Sequence, residues 1–161
     1  MSARQILLLG GIVLAILGMS YGLWYAVFAE HQALDGIGHS LASGFQAAAE
    51  RNAGARENSL LQYRQAKYSY DRQVDVHGHW IGLAMLLIVL AIAFDHVALA
   101  EKFKQLLAGM LLLGAALFPL GVLMQTLSHG ALQQAVAIVG SALVIAALTA
   151  IVFGLLRRQT A

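Results

Sequence analysis

The sequence contains no cysteine. This absence excludes disulfide bonds, thiolate metal sites and the covalent attachment of a c-type haem through a C-x-x-C-H motif. Charged residues are also scarce, at 11% of the 161 residues, whereas a soluble domain usually carries about a quarter. The net charge of +2 is too small to indicate a nucleic-acid-binding surface, so we expect no nucleic-acid partner.

Apolar residues make up 60% of the chain and are concentrated in four long runs. A helix of about 20 residues crosses the hydrocarbon core of a bilayer, which is about 30 Å thick. We therefore predict an all-α integral membrane protein, a four-helix bundle that contacts the lipid bilayer and forms a single domain over residues 1–161. The predicted spans are about 5–29, 77–99, 103–127 and 131–156.

The first run could be mistaken for a signal peptide, because Arg4 precedes it. It extends from Ile6 to Phe28, which is longer than the apolar core of a cleavable signal. We interpret it as a retained transmembrane helix.

The segment 30–76 contains no proline, and its apolar residues recur at helical spacing, as in Leu34, Ile37 and Leu41. We predict two amphipathic helices, about 31–51 and 56–75, that turn near 52–54. We expect them to continue the first and second spans beyond the membrane as a helical extramembrane hairpin. An alternative is that both helices lie along the membrane surface.

The distribution of lysine and arginine predicts the orientation, since short cytoplasmic segments are enriched in these residues. One side of the membrane holds Arg4, Lys102, Lys104, Arg157 and Arg158. We therefore expect both termini in the cytoplasm of a bacterial cell, the chain in the inner membrane, and the loop 30–76 in the periplasm.

Five of the six histidines map to the loop side of the membrane, namely His31, His39, His77, His79 and His129. His31, Asp35 and His39 are spaced four residues apart, so a helix would present them on one face. Imidazole and carboxylate together suit copper, iron or zinc. The sequence therefore predicts a metal site formed by His31, Asp35, His39, His77 and His79.

His77 and His79 are two residues apart, so on a continuous helix they point about 200° away from each other. Both can reach one site only if His77 lies just before the helix. A b-type haem would need axial histidines on facing helices, and His79 with His129 or His31 could supply them. Alternatively, the histidines are tolerated polar residues at the membrane interface, or they take part in proton transfer.

The segment from His77 to Gly82 opens an apolar helix with the sequence HGHWIG. It resembles the His-x-His helix starts of small membrane proteins related to haem-copper oxidase subunit I, including nitric-oxide-reductase-like proteins. The resemblance is limited to the second span. It implies a haem or copper cofactor, and a role as a relative or accessory protein of such a system.

These residues are compatible with three functions. The first is binding of a metal or haem at the periplasmic surface, in respiratory electron transfer or metal handling. The second is a non-catalytic accessory subunit of a membrane complex. The third is a small quinol-linked oxidoreductase, with the headgroup held by the cluster Gln125, Thr126, Gln133 and Gln134. No catalytic residue is assigned.

Small residues indicate where helices approach each other closely, since they bring two backbones together in a membrane. Helix one carries such a stripe at Gly11, Ala15, Gly18 and Gly22. We expect this stripe to pack within the chain, or alternatively against a membrane-protein partner or a second copy in a homo-oligomer.

Overall fold

The computed structural model of the chain describes residues 1–128 and 130–159. In this part of the chain five α-helices and one 3₁₀ turn account for the regular structure. The all-α prediction is confirmed. The elements are α1 (Ala3–Phe28), α2 (Glu30–Ala49), α3 (Ala53–Ala93), the 3₁₀ turn (Phe94–His96), α4 (Glu101–Leu127) and α5 (Ala131–Gln159).

Four of the helices are long and apolar enough to cross a membrane, namely α1, α3 with the turn that follows it, α4 and α5. Only 22% to 44% of the most apolar stretch of each is buried inside the chain. The remaining apolar surface needs a non-aqueous environment, because exposing it to water costs free energy in proportion to its area. These helices indicate an integral membrane protein in contact with the bilayer.

Helix α3 confirms the predicted continuity between the second span and the helix that precedes it. The predicted helix 56–75 and the predicted span 77–99 form a single helix, Ala53–Ala93, which passes through His77 without a break. Its 41 residues give a length of about 60 Å, roughly twice the thickness of a hydrocarbon core. The helix ends before residue 97, because the chain tightens into the Phe94–His96 turn.

Helices α2 and α3 form an antiparallel pair that begins directly after α1. Only Ala29 separates α1 from α2, with a φ of −123° that lies outside the helical range. The chain reverses over residues 50–52, where Arg51 adopts a left-handed φ of 55°. The Asn52 side chain then accepts a hydrogen bond from the backbone N–H of Ala55 at 3.0 Å, which caps α3. The turn therefore comes slightly earlier than predicted.

Glycines set the closest helix contacts. A Cβ atom at Gly11 would lie 3.0 Å from the carbonyl oxygen of Ala84 on α3, and one at Gly114 would lie 2.6 Å from that of Gly140 on α5. The small-residue stripe on helix one therefore packs against α3 within the chain. Helices α1, α3 and α4 pack against one another, and the main partner of α5 is α4.

The end of the bundle opposite the hairpin is tied together by polar contacts. Arg4 forms an ion pair with Asp95 at 3.0 Å, and Glu101 accepts a hydrogen bond from the N–H of Ala3 at 3.0 Å. Lys104 donates to the carbonyl oxygen of Phe94 at 3.1 Å. These contacts connect the start of α1 to the link between α3 and α4.

Candidate functional site

Polar and aromatic side chains form a layer between the helices where α1 gives way to α2, which we call the hairpin end of the bundle. The Tyr21 hydroxyl donates a hydrogen bond to the Gln73 amide oxygen, and Trp80 packs edge-on against Tyr21 with ring centroids 5.4 Å apart. Tyr68 on α3 donates to Gln125 on α4 at 3.4 Å. This layer connects α1, α3 and α4 around the predicted histidines.

His77 is half-buried on the face of α3 that packs against α1. Its Nδ1 lies 2.9 Å from the carbonyl oxygen of Gly18. A carbonyl only accepts hydrogen bonds, so Nδ1 donates and the neutral ring carries its lone pair on Nε2. Gly22 makes room for the ring, because a Cβ atom there would overlap the imidazole of His77.

His79 is half-buried on a different face of α3, towards α4. Its Nδ1 lies 2.6 Å from the carbonyl oxygen of Asp75, one turn earlier. Its ring packs edge-on against Phe118, with centroids 4.7 Å apart and planes at 80°. Nδ1 again donates, so the lone pair of the neutral ring is again on Nε2. Because α3 is continuous here, His77 and His79 contact different helices and do not form a single site.

The histidines of α2 lie apart from this layer. His31, Asp35 and His39 are exposed on α2. His31 and His39 are separated by about 12 Å along the helix axis, so one ion cannot bind both, while Asp35 is one turn from each. His129, the other predicted haem ligand, lies outside the described residues. Within 1–128 and 130–159, no group of three or more histidine, aspartate or glutamate side chains converges on a possible metal position.

A cavity of about 290 Å³ lies between α1 and α3 at the hairpin end. Tyr25 is only 7% exposed, and its hydroxyl has no hydrogen-bond partner among the described residues. The sequence analysis did not bring Tyr25, Glu30 and Tyr70 together in one site. Only the packing of α1 on α3 brings Tyr25 and Glu30 close to Tyr70. The cavity is lined by Gly22, Tyr25, Ala26, Glu30, Tyr70 and His77, among others.

A second cavity, of about 370 Å³ and mainly apolar, lies in the hairpin between α2 and the first turns of α3, where Leu41, Gly44 and Leu60 line it. Phe45 lies at its edge and is 74% exposed.

Further along the hairpin, Lys67 donates to Asp71 at 2.7 Å, and this hydrogen bond raises the pKa of the Lys67 ammonium group.

The cluster predicted to hold a quinol headgroup makes local contacts. Gln125 accepts from Tyr68, and the Thr126 hydroxyl donates to the Leu123 carbonyl oxygen within its own helix. Gln133 donates to the Ser128 hydroxyl at 2.6 Å. The amide oxygen of Gln133 is buried and has no hydrogen-bond partner among the described residues.

Comparison with known proteins adds no family to this picture. No family model, no curated protein and no solved structure matches the chain. The resemblance of the segment from His77 to Gly82 to the oxidase-related proteins therefore stays a prediction.

Proposed function

We propose that the chain crosses a bacterial inner membrane four times, with both termini in the cytoplasm and the α2–α3 hairpin in the periplasm. Two observations support this topology. Arg4, Lys102 and Lys104 belong to the end opposite the hairpin, where positive charge favours the cytoplasm. Helix α3 is about twice as long as the hydrocarbon core is thick, so a large part of it projects beyond that core.

We further propose that the protein binds a haem at the hairpin end, with His79 as an iron ligand. The observation that carries this proposal is the hydrogen bond from His79 Nδ1 to the Asp75 carbonyl oxygen. Metal-ligating histidines usually donate their second ring nitrogen in this way, which orients the ring and leaves the other nitrogen for the metal. Phe118 beside the ring provides apolar surroundings.

The ligand count favours haem over a single copper, iron or zinc ion. A mononuclear site typically needs three or four protein ligands, and the described side chains do not converge in such a group. A porphyrin would supply most of the iron ligands itself, so one or two histidines would be enough to hold a haem. When bound, haem would supply one-electron chemistry, which suits respiratory electron transfer.

The test is the absorption spectrum and metal content of the detergent-purified protein, prepared without chelators or a metal-binding tag. We expect about one haem iron per chain, lost in His79→Ala and retained in His31→Ala, which removes an exposed histidine of α2. Iron, copper and zinc contents all below about a tenth of an equivalent would contradict metal binding altogether. Haem that persists in His79→Ala would assign the ligand elsewhere.

A second candidate function, an accessory subunit of a membrane complex, is favoured by the apolar surface of the hairpin. Phe45 is 74% exposed beside an apolar cavity, and exposed apolar surface of this kind often marks a protein interface. If this candidate is correct, the purified chain self-associates and Phe45→Ser makes it monodisperse in size-exclusion chromatography. A chain that is already monodisperse and stable alone would contradict it.

A further inference from the structure

The cavity between α1 and α3 has an unusual charge balance. Among the described residues, the carboxylate of Glu30 is the only formally charged group that lines it, and no lysine or arginine does. In the described part of the chain the ion pairs join Arg4 to Asp95, Lys67 to Asp71 and Arg72 to Asp75, so Glu30 takes part in none. A cation that enters this cavity would meet no fixed positive charge.

Three hydrogen-bond acceptors line the same space. The Tyr25 hydroxyl is buried and has no partner among the described residues, which is costly unless a ligand or water completes its bonding. The His77 ring also lines the cavity, and because its Nδ1 donates to the Gly18 carbonyl oxygen, Nε2 is the nitrogen of the neutral ring that can accept a hydrogen bond. The Glu30 carboxylate supplies the third acceptor and the strongest one.

Aromatic rings complete the surroundings. The rings of Tyr25 and Tyr70 lie on facing helices with centroids 6.4 Å apart and planes tilted by 47°. The face of an aromatic ring carries negative potential and attracts cations, and aromatic side chains recur in sites that bind organic ammonium groups.

We propose that this cavity binds a primary ammonium group. Such a group has three N–H donors and no acceptor, which matches the acceptors on Tyr25, Glu30 and His77. The volume of about 290 Å³ suits a small organic molecule and far exceeds the space that a bare metal ion needs. The ammonium group belongs either to a soluble amine or to the headgroup of an ethanolamine lipid, because the cavity lies where the apolar run of α1 ends.

The experiment is calorimetric titration of the full-length protein in phosphatidylcholine nanodiscs with benzylamine, and with benzyl alcohol as the uncharged analogue of similar shape. We expect benzylamine to bind and benzyl alcohol to bind at least about tenfold more weakly, because charge-assisted hydrogen bonds are lost. We expect Glu30→Gln to weaken benzylamine binding by a similar factor and Tyr25→Phe to weaken it several-fold. Glu50→Gln, at the exposed hairpin turn, is the matched control and should bind as the wild type does.

Equal binding of benzylamine and benzyl alcohol to the wild type would overturn the proposal without requiring any variant. Unchanged affinity in Glu30→Gln, no binding of benzylamine, or binding of Zn²⁺ at this cavity in its place would overturn it too. Repeating the titration in nanodiscs that contain phosphatidylethanolamine distinguishes the sources. Weaker apparent binding there assigns the cavity to the lipid headgroup, and unchanged binding assigns it to a soluble amine. The titration requires no haem, so it is independent of the proposal for His79.

Discussion

At the scale of single residues, the position of His77 depends on two glycines of α1. Gly18 supplies the carbonyl oxygen that accepts from the imidazole, and Gly22 leaves the space that the ring occupies. Side chains normally cover the backbone of a helix. Because these two glycines have no side chain, a ring from α3 can reach the main chain of α1.

We predict that Gly22→Ala destabilises the protein by about 1–3 kcal/mol, the usual cost of overpacking, because the new methyl group displaces the His77 ring. The measurement is thermal or denaturant unfolding in detergent. Gly78→Ala is the matched control, since a Cβ atom there has nothing within 4 Å. The control should be neutral or gain up to about 1 kcal/mol from the higher helix propensity of alanine. Equal stability of the two variants would show that the ring is free to move aside.

At this scale the sequence allowed a prediction about the histidines but not about their contacts. It assigned most of them to one side of the membrane, because their positions relative to apolar runs are a local property. The divergence of His77 and His79 depended on where α3 begins, which the hydropathy pattern did not reveal. The pairing of Glu30 with His77 in one cavity joins residues far apart in the chain, and a single sequence does not specify which helix faces meet.

At the scale of elements, α3 shows how a change in hydropathy differs from a change in structure. The sequence becomes apolar after His77, but this transition marks where the predicted span begins and not where a helix begins. Between Tyr68 and His77 the sequence has neither proline nor glycine. Since nothing in this stretch breaks the hydrogen-bond ladder, the helix continues from polar to apolar surroundings.

The hairpin turn provides a second prediction. Arg51 holds a left-handed φ of 55°, a conformation that costs a non-glycine residue roughly 1 kcal/mol or more. We expect Arg51→Gly to raise the free energy of unfolding by about that amount. Arg56→Gly, inside α3, should lower it by up to about 1 kcal/mol. A loss of stability in both variants, measured by chemical denaturation, would contradict the strain assigned to Arg51.

The contact between α4 and α5 provides a third prediction. A Cβ atom at Gly121 would overlap the backbone of Ala137 on α5, whereas one at Gly109, on the same helix, would meet nothing within 4 Å. We predict that Gly121→Ala forces the helices apart, destabilises the protein by about 1–3 kcal/mol and increases proteolysis at residues 128–130. The protease should cleave Gly109→Ala at the wild-type rate. Equal cleavage of the two variants would show that the contact at Gly121 does not hold α4 and α5 together.

At the scale of the whole molecule, the absence of cysteine makes the proposed topology directly testable, because any introduced cysteine is the only thiol. We predict that a membrane-impermeant maleimide labels Arg56→Cys, at an exposed position beside the hairpin turn, in intact spheroplasts. Lys102→Cys, at the opposite end, should react only after lysis. Labelling of Lys102→Cys in intact spheroplasts would reverse the proposed orientation.

The number of spans and the helical class were predictable because they follow from the length and apolar character of individual segments. The arrangement of the helices was not. Helix α5 packs mainly on α4 rather than closing a symmetric ring, and this depends on the fit of Gly114 to Gly140 across the pair. Such complementarity belongs to pairs of surfaces and does not appear in a hydropathy profile.

The helices on the two sides of the hairpin differ in continuity. Helix α3 runs unbroken from Ala53 to Ala93, whereas α1 and α2, which pack beside it, are separated by Ala29. The hydrogen bonds between residues four apart continue at Ala29, from its N–H to Tyr25 at 2.9 Å and from the N–H of Ala33 to its carbonyl oxygen at 3.1 Å, so its non-helical φ leaves neither of its backbone groups unpaired. We expect a sideways load on the tip of the hairpin to bend the chain first beside Ala29 and to leave α3 straight.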